Sequence, residues 1–279
     1  MKNLLSRAKS ILTNEGADAV LIRSINHFVF YTHISGRIRV RLAGVRSPRF
    51  FVWFTRSTMR YLHWRYPDRY SDADPFKIIW VNPSIIRSYT KKTPKRRGTV
   101  CGGDWDQKTR PFDKNEVYTA LRAHFVEDVD WEKTNLKTLF EDLAQDGWAW
   151  GHQSTERFEK RCDEIESLYE SVATRGLRTQ AEQINNNEST ITHGDFGIHH
   201  PLLNEIGVNI GRDGELIWRV NGQHRLSISK LLDLDRIPVQ VVTRHRCWQR
   251  HREKLRNGIE NVPESVKSHP DMSDILPSD

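Results

Sequence analysis

Residues Gly214 to His245 read GELIWRVNGQHRLSISKLLDLDRIPVQVVTRH. The run Leu216 to Val220 predicts a strand that stops at Asn221-Gly222, and an apolar-periodic helix begins at once. After Asp233-Leu234-Asp235-Arg236 a second strand is expected over Ile237 to Val242. A strand that turns directly into a helix leaves several backbone N–H groups without intrahelical acceptors, at the positive end of the helix dipole. That is the local chemistry of an anion site. Arg225, just inside the helix, offers a planar fork of donors suited to two phosphate oxygens, and His224 adds a ring nitrogen. The candidate phosphate-binding residues are therefore Asn221, Gly222, Gln223, His224, Arg225 and Ser227, the last through its hydroxyl.

Upstream, Gly211-Arg212-Asp213-Gly214 reads as the turn of a hairpin joining Glu205 to Ile210 with Leu216 to Val220. Before it, Ile191 to His200 (ITHGDFGIHH) crowds His193, Asp195, His199 and His200 together. Their spacing does not match a helix-borne zinc site, so no metal ligands are assigned and the cluster is read as pocket lining. Thr179 to Ser189 is polar and loop-like. A helix capped by Ser154 or Thr155 is expected to place Phe158, Cys162, Ile165, Tyr169 and Val172 on one face and to end at Arg175-Gly176. Cys162 on that face is a core residue.

Three pieces of the chain, in order, resemble the ParB/sulfiredoxin superfamily. They are Ile78 to Arg87 (IIWVNPSIIR), the helix and Gly-Leu within Arg157 to Gln180, and Gly222 to Arg225 as a Gly-x-x-Arg turn between strand and helix. The resemblance implies an α/β (α+β) fold with a small mixed sheet, a bound nucleotide (ATP, ADP or CTP) and Mg²⁺, with Arg87 as a further phosphate ligand. Gln223 stands where sulfiredoxins carry their reactive cysteine, so redox chemistry is not implied. Gln223-His224 also replaces the Glu-Arg of CTP-binding partition proteins, which leaves the base open. If the site transfers or hydrolyses a phosphate, His224 with Arg225 stabilises the anion, and Glu205 or Asp213 orients the acceptor. The expected activity is that of a nucleotide-dependent phosphotransferase or NTPase. In the alternative, the nucleotide is a switch in a nucleic-acid-binding protein.

The net charge of +7 is unevenly spread. Residues 1–100 carry 20 Lys and Arg against 5 Asp and Glu, so the first third is strongly basic and the remainder acidic. Such asymmetry points to a polyanionic partner, a nucleic acid or an anionic membrane surface, or to docking on the acidic remainder of the same chain. Arg37, Arg39 and Arg41 alternate with apolar residues as in a half-exposed strand, and further arginines up to Arg69 are mixed with Phe, Trp and Tyr. Three scattered cysteines argue against a disulfide framework and for a reducing cytoplasm, and no apolar run is long enough for a membrane span. A cytoplasmic protein, free or peripheral to membrane or nucleoid, is the expectation.

The composition divides the chain into a basic, aromatic-rich extension at 1–75, a ParB/sulfiredoxin-like domain at 76–258 with a helical insertion at about 91–153, and a polar tail at 259–279. Pro67 to Pro75 reads as the linker at the first boundary. Tyr89 to Gly98, with Lys91, Lys92, Lys95, Arg96 and Arg97, reads as a basic loop able to close over a nucleotide. Asp104 and Asp106, flanking Trp105, suit either a divalent ion or a turn. Arg244, Arg246, Arg250 and Arg252 are expected on a solvated helix face, and the residues after Gly258 are expected to be poorly ordered.

Overall fold

The computed structural model describes residues 48–91, 97–145, 157–186, 204–259 and 261–276, together with a few isolated positions. The expectations for Arg37 to Arg41, for His193 to His200 and for the Ser154 or Thr155 cap lie outside the described residues.

The Ile237-Pro238-Val239 run grows into the longest of the described strands, buried from end to end. Nine residues from Ile237 to His245 are enough for it to serve three neighbours. We number the strands β1 (Ile78–Val81), β2 (Ser88–Tyr89), β3 (Thr99–Cys101), β4 (Arg110–Pro111), β5 (Ile206–Ile210), β6 (Leu216–Val220) and β7 (Ile237–His245). The sheet runs β1-β7-β5-β6-β2-β4, with β3 also paired to β7. β1 lies antiparallel against the first half of β7 and β3 parallel against its last residues, while β5 pairs along its other side in parallel. The result is an open, mixed sheet.

Helices cover it unequally. They are α1 (Pro48–Arg65), α2 (Glu116–Glu127), α3 (Asn135–Gln145), α4 (Phe158–Arg175), α5 (Gln180–Asn185), α6 (Gln223–Leu231), α7 (Arg246–Arg256) and α8 (Glu264–Lys267). Strand alternation sends Ile206, Val208, Ile210, Leu216, Trp218, Val239 and Val241 to one face. There they join Val117, Leu121, Leu136, Phe140, Ile165, Leu226 and Ile228 in a single apolar cluster. Thus α2 and α3, which the sequence marks as an insertion, are part of the main core. α4 ends as expected, with Gly176 in the left-handed region, and its start is at Phe158. The segment read as a loop after Thr179 contains α5, whose start is closed by a capping box. The Thr179 hydroxyl accepts from the Glu182 amide, and the Glu182 carboxylate accepts from the Thr179 amide.

Three further expectations are corrected. Tyr70, Ser71 and Ala73, inside the stretch with linker composition, are buried. Val262, Val266 and Met272, in the stretch expected to be a polar tail, are buried in the main core. Arg244 and Arg252, expected on a solvated face, are buried too. One network explains all three. Arg252, fully buried, binds Asp72, Asp274 and the Asp271 carbonyl, while Arg244 makes a two-point pair with the Asp271 carboxylate at 2.6 and 2.9 Å. The Trp248 indole N–H and the Gln249 amide complete the shell around Asp271 and Asp72. A buried charge is tolerable only when it is paired and hydrogen-bonded, and the carboxylates that do this come from the two segments that looked dispensable.

Asp104 and Asp106 are neutralised by Arg212, which reaches both carboxylates at 2.8 Å from the β5–β6 hairpin. They therefore order a turn. Burial alone would raise the Asp106 carboxyl, but the Arg212 bonds reverse this and bring it down to about 2. No helix among the described residues is long and apolar enough to cross a membrane.

Candidate functional site at the start of helix α6

The β6–α6 junction is tighter than alternation alone suggests. Asn221 and Gly222 both take positive φ, 58° and 62°, so the chain reverses within two residues. Asparagine tolerates this conformation through its short polar side chain, and glycine takes it without strain. At Gly222 a Cβ would also sit 2.5 Å from the Ile206 Cγ1 and 3.1 Å from its Cα. The glycine is required by both backbone angle and packing. No side chain caps the helix that follows.

A second helix begins beside it. Asn115 caps α2 by accepting from the Val117 and Tyr118 amides, and the same oxygen accepts from the Gln223 side chain at 2.7 Å. Two positive helix ends thus lie side by side. The basic loop brackets the same region. Arg219 on β6 donates to the Lys91 carbonyl, Lys91 lies 4.0 Å from Glu116, and Arg97 reaches Gln240. Residues 92–96 between these anchors are outside the described set.

His224 is buried and faces α4, where the Arg161 guanidinium donates to its Nδ1 at 3.3 Å. Because arginine only donates, the neutral imidazole carries its proton on Nε2. Burial pushes Arg161 below its ordinary range, and Glu164 at 2.9 Å works against that shift.

Arg225 does not point outward as the sequence reading requires. Its guanidinium folds back over the start of its own helix, donates to the Asn204 carbonyl and stands 3.9 Å from the Glu205 carboxylate. It is a strut between α6 and the entry to β5. Glu205 is 2% exposed, and its Oε1 accepts from the Gln180 amide at 2.6 Å, where α5 begins. Burial pushes the Glu205 carboxyl up, and the Gln180 amide and Arg225 offset this only in part. Three buried side-chain oxygens in this neighbourhood have no hydrogen-bond partner among the described residues: Glu205 Oε2, Gln180 Oε1 and Ser227 Oγ. Buried polar atoms are nearly always satisfied, so each calls for an explanation such as a bound group.

The remaining candidates fall elsewhere. Asp213 is at the tip of the β5–β6 hairpin, and its amide donates to Glu215. Five residues of strand, roughly 17 Å, separate that tip from the end where Glu205 and Gly222 meet. Asp213 and Glu205 cannot serve one reaction centre. Arg87 interacts with Lys230, seven residues beyond Gln223 and so about 10 Å along α6. Burial, with Arg87 adding to it, lowers the Lys230 ammonium to about 8. Sequence reasoning missed Arg161, Gln180 and Asn115 because they arrive from α4, α5 and α2; only the capping pattern of Asn115 before an apolar run offered a signal.

Among the described residues no three His, Cys, Asp or Glu side chains are grouped to hold a metal ion. No family model, curated protein or solved structure matches the chain.

Proposed function

We propose that the protein binds a nucleotide at the β6–α6 turn, using the fold and turn of the ParB/sulfiredoxin type that its sequence resembles. The observation that carries this reading is the pairing of opposite needs at one place. The uncapped start of α6 offers backbone donors, which suit phosphate oxygens, and the adjoining start of α2 adds its positive dipole end. Glu205 Oε2 and Gln180 Oε1 are buried acceptors without donors, which suit hydroxyl or amino groups. A nucleotide, with phosphate at one end and hydroxyl and amino groups at the other, meets both needs. Mg²⁺, if it participates, enters on the phosphates, since the described side chains provide no three-ligand group for it.

Arg225 in this reading holds the turn, and Arg161 supplies the positive field around His224. Phosphoryl transfer is the chemical extension of the same site. A carboxylate whose affinity for protons is raised by burial is suited to accept the proton of an attacking hydroxyl, and Glu205 has that environment.

The test is a thermal-shift panel of ATP, ADP, CTP, pyrophosphate and the corresponding nucleosides, each with and without Mg²⁺. Compounds carrying phosphate should raise the melting temperature and nucleosides should not, and Arg161→Met and His224→Gln should each shrink the shift. A panel in which no phosphate compound stabilises the protein rejects the reading.

A further inference from the structure

Lys230 is a half-buried lysine with no acid to hold its charge. It lies in the last turn of α6, where a lysine ordinarily reaches solvent or the final carbonyls of its helix. Here the side chain is partly covered, and its Nζ stands 5.4 Å from the centre of the Phe112 ring. Phe112 is a fixed platform, buried and packed edge-on against Tyr89, Tyr118 and Trp218. Its amide donates to the Arg87 carbonyl at 2.8 Å, which ties the segment carrying Arg87 to the same platform. The exposed Arg87 guanidinium is near enough to repel the Lys230 ammonium.

The other lysines give the contrast. Lys77, Lys133, Lys137 and Lys267 each face a carboxylate. Among the described residues no carboxylate acts on Lys230, and its Nζ makes no hydrogen bond or ion pair. Burial and the neighbouring guanidinium both favour the neutral amine and bring the group down to about 8. The Phe112 ring opposes them, at a distance near the limit of cation–ring attraction. An amine in this range resembles a chain terminus, with an ordinary value of about 7.7–8.0, more than a free lysine at about 10.4. At pH 7 about a tenth of it is unprotonated and nucleophilic.

We infer that Lys230 is a site of reversible carbamate formation, at which its amine adds carbon dioxide and Arg87 pairs with the anionic product. The nitrogen lone pair forms the N–C bond, one C=O π pair moves onto oxygen, and the proton released from nitrogen goes to solvent. R–NH2 and CO2 thus give R–NH–CO2− and H+. The neighbours select this electrophile. An aldehyde would give an imine that, once protonated, keeps a positive charge beside Arg87, and an acyl donor would give an uncharged amide. Carbamate formation reverses the sign of the charge at this position, so that repulsion by Arg87 becomes attraction. Carbon dioxide is also small and uncharged, which suits an amine only partly open to solvent.

The experiment equilibrates the full chain with isotopically labelled bicarbonate and carbon dioxide, traps carbamates as ethyl esters with triethyloxonium, and locates them by peptide mass spectrometry. Labelled ethoxycarbonyl groups should appear on Lys230, and at fixed carbon dioxide pressure their occupancy should rise as pH goes from about 6 to 8. Lys133 and Lys137, held in the charged form by hydrogen bonds to Asp130 and Glu132, should carry at least about 10-fold less. Arg87→Gln removes both the repulsion that frees the amine and the cation that holds the product, and should lower the occupancy about 2-fold to 10-fold. Lys230→Arg keeps a cation but no reactive amine and should abolish the signal at this position. Circular dichroism of each variant checks that it is folded. Absence of label from Lys230, label spread evenly over the lysines, or an Arg87→Gln variant that is trapped as fully as the parent protein would each overturn the inference. None of these outcomes depends on whether the β6–α6 turn holds a nucleotide, since Lys230 is about 10 Å from it along α6.

Discussion

Two buried charge clusters sit in this molecule and are built to opposite specifications. The first surrounds Asp271 and Arg252 where α7, β7, the 70s segment and the C-terminal region meet. Burial would raise the Asp271 carboxyl, but Arg244 and Arg252 together hold it well below the usual carboxylate range, and Trp248 adds a hydrogen bond. Asp72 and Asp274 are likewise lowered against their burial. The second cluster surrounds Glu205. Here burial prevails, the carboxyl is raised, and one of its oxygens has no hydrogen-bond partner among the described residues. A network whose buried charges are all paired ties segments together. An unsaturated one, next to a helix start without a cap, keeps polar groups in reserve. The contrast gives the first cluster a structural part, and the second is the place where the proposed ligand would bind.

The sharpest way to break this comparison is to remove the central cation of the saturated network. Arg252→Met leaves Asp72 and Asp274 without their main partner and should cost about 3–5 kcal/mol, measured by urea unfolding. The same variant should leave the nucleotide affinity of the remaining folded protein unchanged. If its stability falls little, the network is ornamental to the fold.

Arg225→Met is next in size. The side chain is a strut, so its removal should destabilise the protein by about 2–4 kcal/mol even without ligand, because the Asn204 carbonyl and Glu205 lose a buried donor. Adding Glu205→Gln to Arg225→Met should recover part of that loss. A guanidinium used only for a ligand would instead give a variant of ordinary stability and absent binding. Gly222→Ala should cost about 1–3 kcal/mol, since alanine is strained at φ 62° and its methyl group meets Ile206.

How much of this was legible in the sequence follows the same division. The β6–α6–β7 succession was readable because each of its signals is local: alternation, a glycine at the reversal, then helical periodicity. The amphipathic α4 and its glycine stop were readable for the same reason. The mixed α/β class followed from them. The Arg252 network was not, because Asp72 and Asp271 are about 180 and 19 residues away from it and nothing in PDRYSDADP or in SHPDMSD marks an acid as buried. Composition therefore misread a core segment as a linker and another as a tail. The direction of Arg225 was also hidden. Gly-x-x-Arg fixes where the side chain starts, but the carboxylate that captures it comes from the strand before, across a hairpin.

The smallest effect is the most discriminating, because the two clusters should respond to pH with opposite sign. A carboxyl lowered in the folded state contributes stability that is complete above its unfolded value, near 3.8 for aspartate, and is lost as pH falls through the folded value. Asp72 and Asp271 therefore support the fold at neutral pH and give way in acid. Glu205 is raised above 4.5, so its contribution is complete below that value and declines as pH rises through the folded one. As pH rises above 4.5 the group therefore works against folding. Glu205→Gln, which keeps an oxygen for the Gln180 amide, should thus gain stability relative to the parent protein as pH rises from about 4 to 7. Asp72→Asn should lose stability relative to the parent only in acid, as pH rises toward about 4, and should run parallel to it over the interval in which Glu205→Gln gains. Unfolding curves of the parent and the two variants at several pH values measure both trends. If the Glu205→Gln difference stays flat, that carboxylate is satisfied in the folded protein, and the case for a ligand supplying its missing donor falls with it.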